Sequence, residues 1–122
     1  MAKGEITMRR TLLVMAILAI PKLGWADGYV SGNELYQQLS RWQKTSTGTG
    51  SVQDMVPGSI GIGYVIGVVD SFENCIPQHV SRGQVIDIAF RYLDAHPEER
   101  QFSASSVVTV AVAEKFPCPK GR

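Results

Sequence analysis

The apolar positions of this chain fall into blocks separated by polar, glycine-rich or proline-containing stretches. The first block, Thr11 to Ile20 (TLLVMAILAI), is a continuous apolar run without charge. In the second, Leu35, Leu39 and Trp42 recur at i, i+4 and i+7, with Tyr36 beside them. That spacing predicts an amphipathic helix capped by Asn33 and running to about Lys44. Thr45 to Ser51 (TSTGTGS) reads as a polar loop, and Pro57-Gly58 as a further break. Ser59 then stands where it could cap a segment from Ile60 to Asn74.

That segment is ambiguous by pattern. Ile60 to Val69 (IGIGYVIGVV) is rich in glycine and β-branched residues, and propensity alone favours a strand. On a helix, Gly63 and Gly67 stand four apart and would form a notch where another helix approaches closely. The glycines do not have the G-x-G-x-x-G spacing and no Lys-Ser or Lys-Thr follows, so a phosphate loop is disfavoured. The third segment is clearer. Ser81-x-x-Gln84 is a capping box. Gln84, Asp87, Arg91 and Asp94 make one wet stripe, and Val85, Ile88, Ala89, Tyr92 and Leu93 make the opposite, apolar face. Pro97 stops this helix near His96. Pro97-Glu98-Glu99-Arg100 has the look of a helical first turn, either opening the next helix or standing alone before Ser103. Val107 to Ala113 (VVTVAVA) fits a buried helix or a buried strand.

The block at the N-terminus has a different meaning. Met8-Arg9-Arg10 supplies a basic n-region, and small residues Gly24 and Ala26 occupy the −3 and −1 positions. This is the layout of a secretory signal peptide cleaved after Ala26. The apolar run is too short for a transmembrane helix, which needs about 18–20 residues. Residues 1–7 read either as an extended n-region or as lying upstream of a start at Met8. The expected domains are thus a leader, 1–26, and a mature domain, 27–122. The full chain of 122 residues has net charge +1, but the leader holds four of its basic residues against one acid. The mature part is near −2, which argues against a nucleic-acid binder.

Export changes the reading of Cys75 and Cys118, the two cysteines of the chain. An even count in an exported protein suggests a disulfide. The two stand 43 residues apart, and closing such a loop contributes about 4 kcal/mol in the chain-entropy treatment. A metal site built on these cysteines with His79 and His96 lacks any Cys-x-x-Cys or His-x-x-x-His spacing, so no metal and no cofactor is expected. The cysteines also test the fold. If segments two, three and four are antiparallel helices, two and four point the same way. Cys75 and Cys118 then follow the same end of the bundle. The expected fold class is all-α, a small bundle of about four helices with one disulfide.

Four motifs in order carry a resemblance. Gly63-Tyr64-x-x-Gly67-Val68-x-Asp70 is followed by Cys75-x-Pro77-x-x-Val80-x-x-Gly83-Gln84. Arg91-Tyr92-Leu93-x-x-His96-Pro97-Glu98-x-Arg100 and Ala113-Glu114-x-Phe116-Pro117-Cys118 complete the set, and Ser31-Gly32-Asn33-Glu34-Leu35 opens it. The chain resembles the Tai/Rap-type immunity proteins, small periplasmic proteins that protect bacteria from peptidoglycan amidases delivered by type VI secretion. The resemblance implies an all-α domain, often a homodimer, that occludes the substrate groove of a cognate amidase toxin without catalysis. It departs from the family pattern in one respect. Many members carry a further cysteine just before the Gly-Tyr pair and another in the first helix. Here those places hold Gly61 and residues near Leu39 or Ser40.

The residue inventory agrees with a non-enzyme. Two oxidised cysteines and two histidines leave no convincing nucleophile and base, and Glu98 and Glu99 point apart on a helix. His79, in a loop between a proline and a capping serine, is a candidate for reaching toward a partner. Arg91 and Arg100 are candidate interface anchors. A periplasmic chaperone or acid-stress protein is the competing reading, disfavoured by the slightly acidic mature charge and the scarcity of lysine. A small cell-wall hydrolase lacks a catalytic set. No stable membrane insertion is expected once the leader is removed.

Overall fold

The computed structural model describes residues 28–120. The leader, its cleavage point after Ala26 and the choice between Met1 and Met8 lie outside the described residues. Those residues form α1 (Gly32–Ser46), α2 (Val52–Ser71), α3 (Arg82–Ala95), a 3-10 turn (Pro97–Gln101) and α4 (Ala104–Lys115). The expected all-α bundle of about four helices is therefore found.

Helix α1 starts earlier than Asn33. Ser31 has the extended backbone of a cap, and its hydroxyl accepts the Glu34 N–H at 3.1 Å. Asn33 instead lies in the first turn. Gly32 explains the early start. A Cβ there would stand 2.8 Å from the Arg100 backbone, so only glycine lets the two segments touch. The contact is sewn by Gly32 N–H donating to Phe102 O at 2.8 Å and Ala104 N–H donating to Val30 O at 2.9 Å. The starts of α1 and α4 are thereby held side by side.

Helix α2 corrects the expected break at Pro57-Gly58. It begins at Val52 and carries Pro57 inside it. Asp54 makes this possible, accepting both the Ser51 N–H at 2.9 Å and its hydroxyl at 3.0 Å. These bonds hold the Asp54 carboxyl below its usual range. Pro57 removes one helical bond, to the carbonyl of Gln53, and Gln53 is exposed so that water can take its place. Ser59 sits in the helix interior and returns its hydroxyl to Met55 O at 2.7 Å. The helix also ends before Asn74. Phe72 is extended, and the Asn74 amide donates to Val69 O and Phe72 O at 3.1 and 3.2 Å, closing the end. The strand reading of Ile60–Val69 loses to burial. Val65 is fully buried in the common core, which a helix achieves with one face.

The glycine notch exists, but not at the expected residues. Gly58 and Gly61 face α1. A Cβ at Gly58 would lie 3.1 Å from Trp42 Cα, and one at Gly61 would lie 2.8 Å from Gln38 Cβ. A Cβ at Gly63 or Gly67 would meet nothing within 4 Å. The reason is phase: positions 58 and 61 fall on the buried side of the helix, and 63 and 67 on the open side. Helices α1 and α2 are antiparallel here and packed closely without a bridge.

Helix α3 follows its pattern, with Ser81 and Gln84 closing the capping box and His96 at its end. Pro97–Gln101 stands as a separate turn, and Ser103 caps α4. In α4, Val107, Val108, Ala111 and Val112 are buried while Val110 is exposed, so this helix is one-sided rather than buried all round. The largest fully buried side chains are Leu35, Leu39, Val65, Leu93, Val108 and Val112, one or two from each helix. Cys75 and Cys118 form a disulfide with Cα atoms 5.2 Å apart. It joins the chain after α2 to the chain after α4, as the parallel course of those helices requires.

Candidate functional site

The disulfide ties down the loop Ile76–Val80 beside the end of α4. Between this loop, α3 and α4 lies an open groove of about 670 Å3. Its floor is apolar, built from Ile88 and Tyr92 of α3, Ala111 of α4 and Phe116 just beyond it. One rim carries His79, Gln84, Asp87 and Arg91, and the other Glu114 and Lys115. Three members of the wet stripe of α3 are thus one wall of a groove. The fourth, Asp94, turns the other way, toward Tyr36 and Arg100.

The rims hold both signs of charge. Arg91 Nε lies 2.8 Å from Asp87 Oδ2, one turn earlier on α3, in an exposed pair. Such a pair contributes about 0.3–0.5 kcal/mol to the helix. It is cheap to open, so either partner can be reassigned to an incoming ligand. Glu114 and Lys115 are exposed opposite. An apolar floor between rims of mixed charge suits a polypeptide segment better than a small anion or cation.

The Tyr92 ring is part of the floor, but its polar end is used internally. Its hydroxyl donates to Glu99 Oε2 at 2.9 Å. Burial pushes its pKa up to about 12, with the Glu99 carboxylate adding to the effect. Its ring stacks on His96 with centroids 4.1 Å apart. His96 Nδ1 lies 2.8 Å from Tyr92 O. The histidine is thus part of the helix end, as its place before Pro97 suggests.

The three candidate anchors are not brought together. His79 and Arg91 both line the groove. Arg100 lies elsewhere, packed into the fold with its side chain 16% exposed. Its Nε donates to Leu93 O at 2.7 Å, and its guanidinium sits 3.6 Å above the Tyr36 ring. It clamps the 3-10 turn to α3 and α1. Lys115 and Glu114 were not singled out by sequence reasoning as groove residues. The one signal for them was the Ala113-Glu114-x-Phe116 motif, which carries no chemistry of its own. Among the described residues, no three of His, Cys, Asp and Glu are grouped as metal ligands, and both sulfurs are in the disulfide.

In class, this is a small all-α domain closed by one disulfide and bearing a groove of mixed charge. A family model described as Rap1a immunity proteins matches residues 24–118, and the chain belongs to that family. No curated protein and no solved structure gives a significant match.

Proposed function

We propose that the mature chain, residues 27–122, is a periplasmic immunity protein. It binds a peptidoglycan amidase delivered by type VI secretion and blocks the amidase substrate groove sterically, without turnover. The observation that carries this reading is the match to the immunity family over residues 24–118. The match begins at residue 24, three residues before the proposed mature chain starts. A disulfide that braces the groove suits an oxidising compartment such as the periplasm. The groove between α3 and α4 offers the contact surface, with His79 and Arg91 on one rim and Lys115 on the other. Arg100 supports it indirectly, by holding the turn after α3. The protein acts as a homodimer in this reading.

The test is protection. A type VI amidase from the same genome is directed to the periplasm of a test bacterium, with and without this chain. Survival that requires residues 1–26 supports periplasmic immunity. Lysis despite exported, folded protein overturns it for every amidase so tested. A chaperone reading would draw on the exposed Val52, Met55, Val56 and Ile60 of α2. Capture of many unrelated periplasmic clients in place of one amidase would favour it.

A further inference from the structure

The groove and the bundle are fastened by different means. Two parts of the groove wall are not helical: His79 and Val80 in the loop after Cys75, and Phe116 just beyond α4. Among the described residues, every buried apolar side chain lies on one of the four helices. Ile76, Val80 and Phe116 only pack against that core half-buried. The hydrogen bonds of the loop are local. Val80 N–H donates to Pro77 O at 3.0 Å, and Ile76 N–H to Asn74 Oδ1 at 3.3 Å. Among the described residues, none crosses from 75–80 to α3 or α4. Pro117 and Pro119 flank Cys118 and have no N–H to donate. The Cys75–Cys118 bond is thus what ties these two parts of the wall together. The bundle has its own ties, in the backbone bonds of Gly32 and Ala104 and in the bond from Arg100 to Leu93 O. Cys118 is exposed and Cys75 half-buried, so a protein thiol or disulfide can reach the bond.

We propose that this disulfide gates the groove rather than the fold. The dithiol chain is a folded four-helix bundle with a loosened groove that does not hold the amidase, and oxidation makes it competent to bind. This rests on the immunity reading above and adds its regulation. Closure is a thiol–disulfide exchange with a disulfide-bearing oxidant. One cysteine thiolate attacks the oxidant and expels one of its sulfurs as a thiolate. The second cysteine then attacks the mixed disulfide and expels the other. The chain gives up two electrons and two protons, and the oxidant leaves as a dithiol. The rims on α3 and α4, with Asp87, Arg91, Glu114 and Lys115, stay in place in both states. What the dithiol state loses is the fixed position of His79 and Phe116. Binding is thereby confined to an oxidising compartment, and the same chain is inert among cytosolic thiols.

The experiment compares the oxidised mature chain with the Cys75→Ser/Cys118→Ser double variant, which needs no reductant that could act on the amidase. Circular dichroism, backbone order parameters by NMR and inhibition of a type VI amidase are measured on both. Helical dichroism should be unchanged. The order parameters of Gln78, His79 and Val80 should fall from about 0.85 to below about 0.6. Inhibition should weaken at least tenfold. Wild-type chain that is reduced and then reoxidised with glutathione disulfide should regain both the order and the inhibition. Gly61→Ala, which strains α1 against α2 away from the groove, should keep both. A double variant and a reduced wild type that both unfold overturn the proposal, because the disulfide then holds the fold and not the groove. So does a loop as ordered as in the oxidised chain, undiminished inhibition, or an equal loss of inhibition in Gly61→Ala. If the oxidised chain inhibits no amidase of the same genome, the immunity reading fails, and the order parameters still decide whether the disulfide gates the groove.

Discussion

Tyr92 and Arg100 each carry a polar group into the seam between α3 and the turn after it. Replacing Tyr92 with Phe leaves Glu99 without its 2.9 Å donor and should cost about 1 kcal/mol, read from urea unfolding. The alkaline limb gives a second readout. The folded pKa of this phenol is raised to about 12, so the unfolded chain ionises first as pH climbs. Its stabilising effect is complete below pH 10 and is lost between there and its folded pKa. Tyr92→Phe should remove that component of the alkaline loss, and an identical limb in both proteins would refute the assignment. Arg100 and Arg91 separate structure from recognition. Arg100→Ala removes a bond to a backbone carbonyl and a stacked cation, and should cost about 2 kcal/mol of stability. Arg91→Ala loses an exposed pair worth at most about 0.5 kcal/mol, and should instead weaken amidase binding. Spacing puts Arg91 on the wet stripe of α3 but says nothing of what Arg100 packs against. Tertiary placement completes the difference, because Arg100 lies in the 3-10 turn after α3, which folds its side chain back over Tyr36.

At the scale of elements, the glycines of α2 make two opposite predictions. Gly61→Ala forces a methyl group to 2.8 Å from Gln38 Cβ, which hangs directly from the α1 backbone and cannot swing aside. It should destabilise by about 1–3 kcal/mol. Gly63→Ala, with open space, should stabilise the isolated monomer by about 0.5–1 kcal/mol. Thermal melts at concentrations where the chain is monomeric check both, and the same sign for the two would contradict the packing described. The helices themselves were largely legible. The periodicity of α3 and its capping box carried the element intact, and the all-helical reading put Cys75 and Cys118 at one end of the bundle, where their disulfide closes. Pro57 misled the reading of α2, because a proline inside the helix is tolerated where the orphaned Gln53 carbonyl faces water. The notch was legible as a requirement but not as a position. Which glycines face inward depends on the phase of the helix, and a segment apolar on nearly every side hides its phase.

For the whole molecule, the disulfide is the main fastening of the groove. Reduction frees both the loop that carries His79 and the chain after α4 that carries Phe116. It should cost about 4 kcal/mol, and melting with and without a thiol reductant measures it. A loss under 1 kcal/mol would show that the helices hold the groove unaided. The site was only half visible in the sequence. His79 and Arg91 were recognisable candidates, but no local pattern says that Glu114 and Lys115 of α4 line the same groove. Family membership supplies the immunity reading, and the groove is the contact surface proposed for it. The most direct measurement is a titration of purified type VI amidase with the oxidised mature chain, following release of cleaved peptidoglycan. The account predicts a linear fall to complete inhibition at one chain per amidase, with the end point lost on Arg91→Glu combined with Lys115→Glu. Undiminished cleavage at tenfold excess, by each amidase of the same genome, would contradict it.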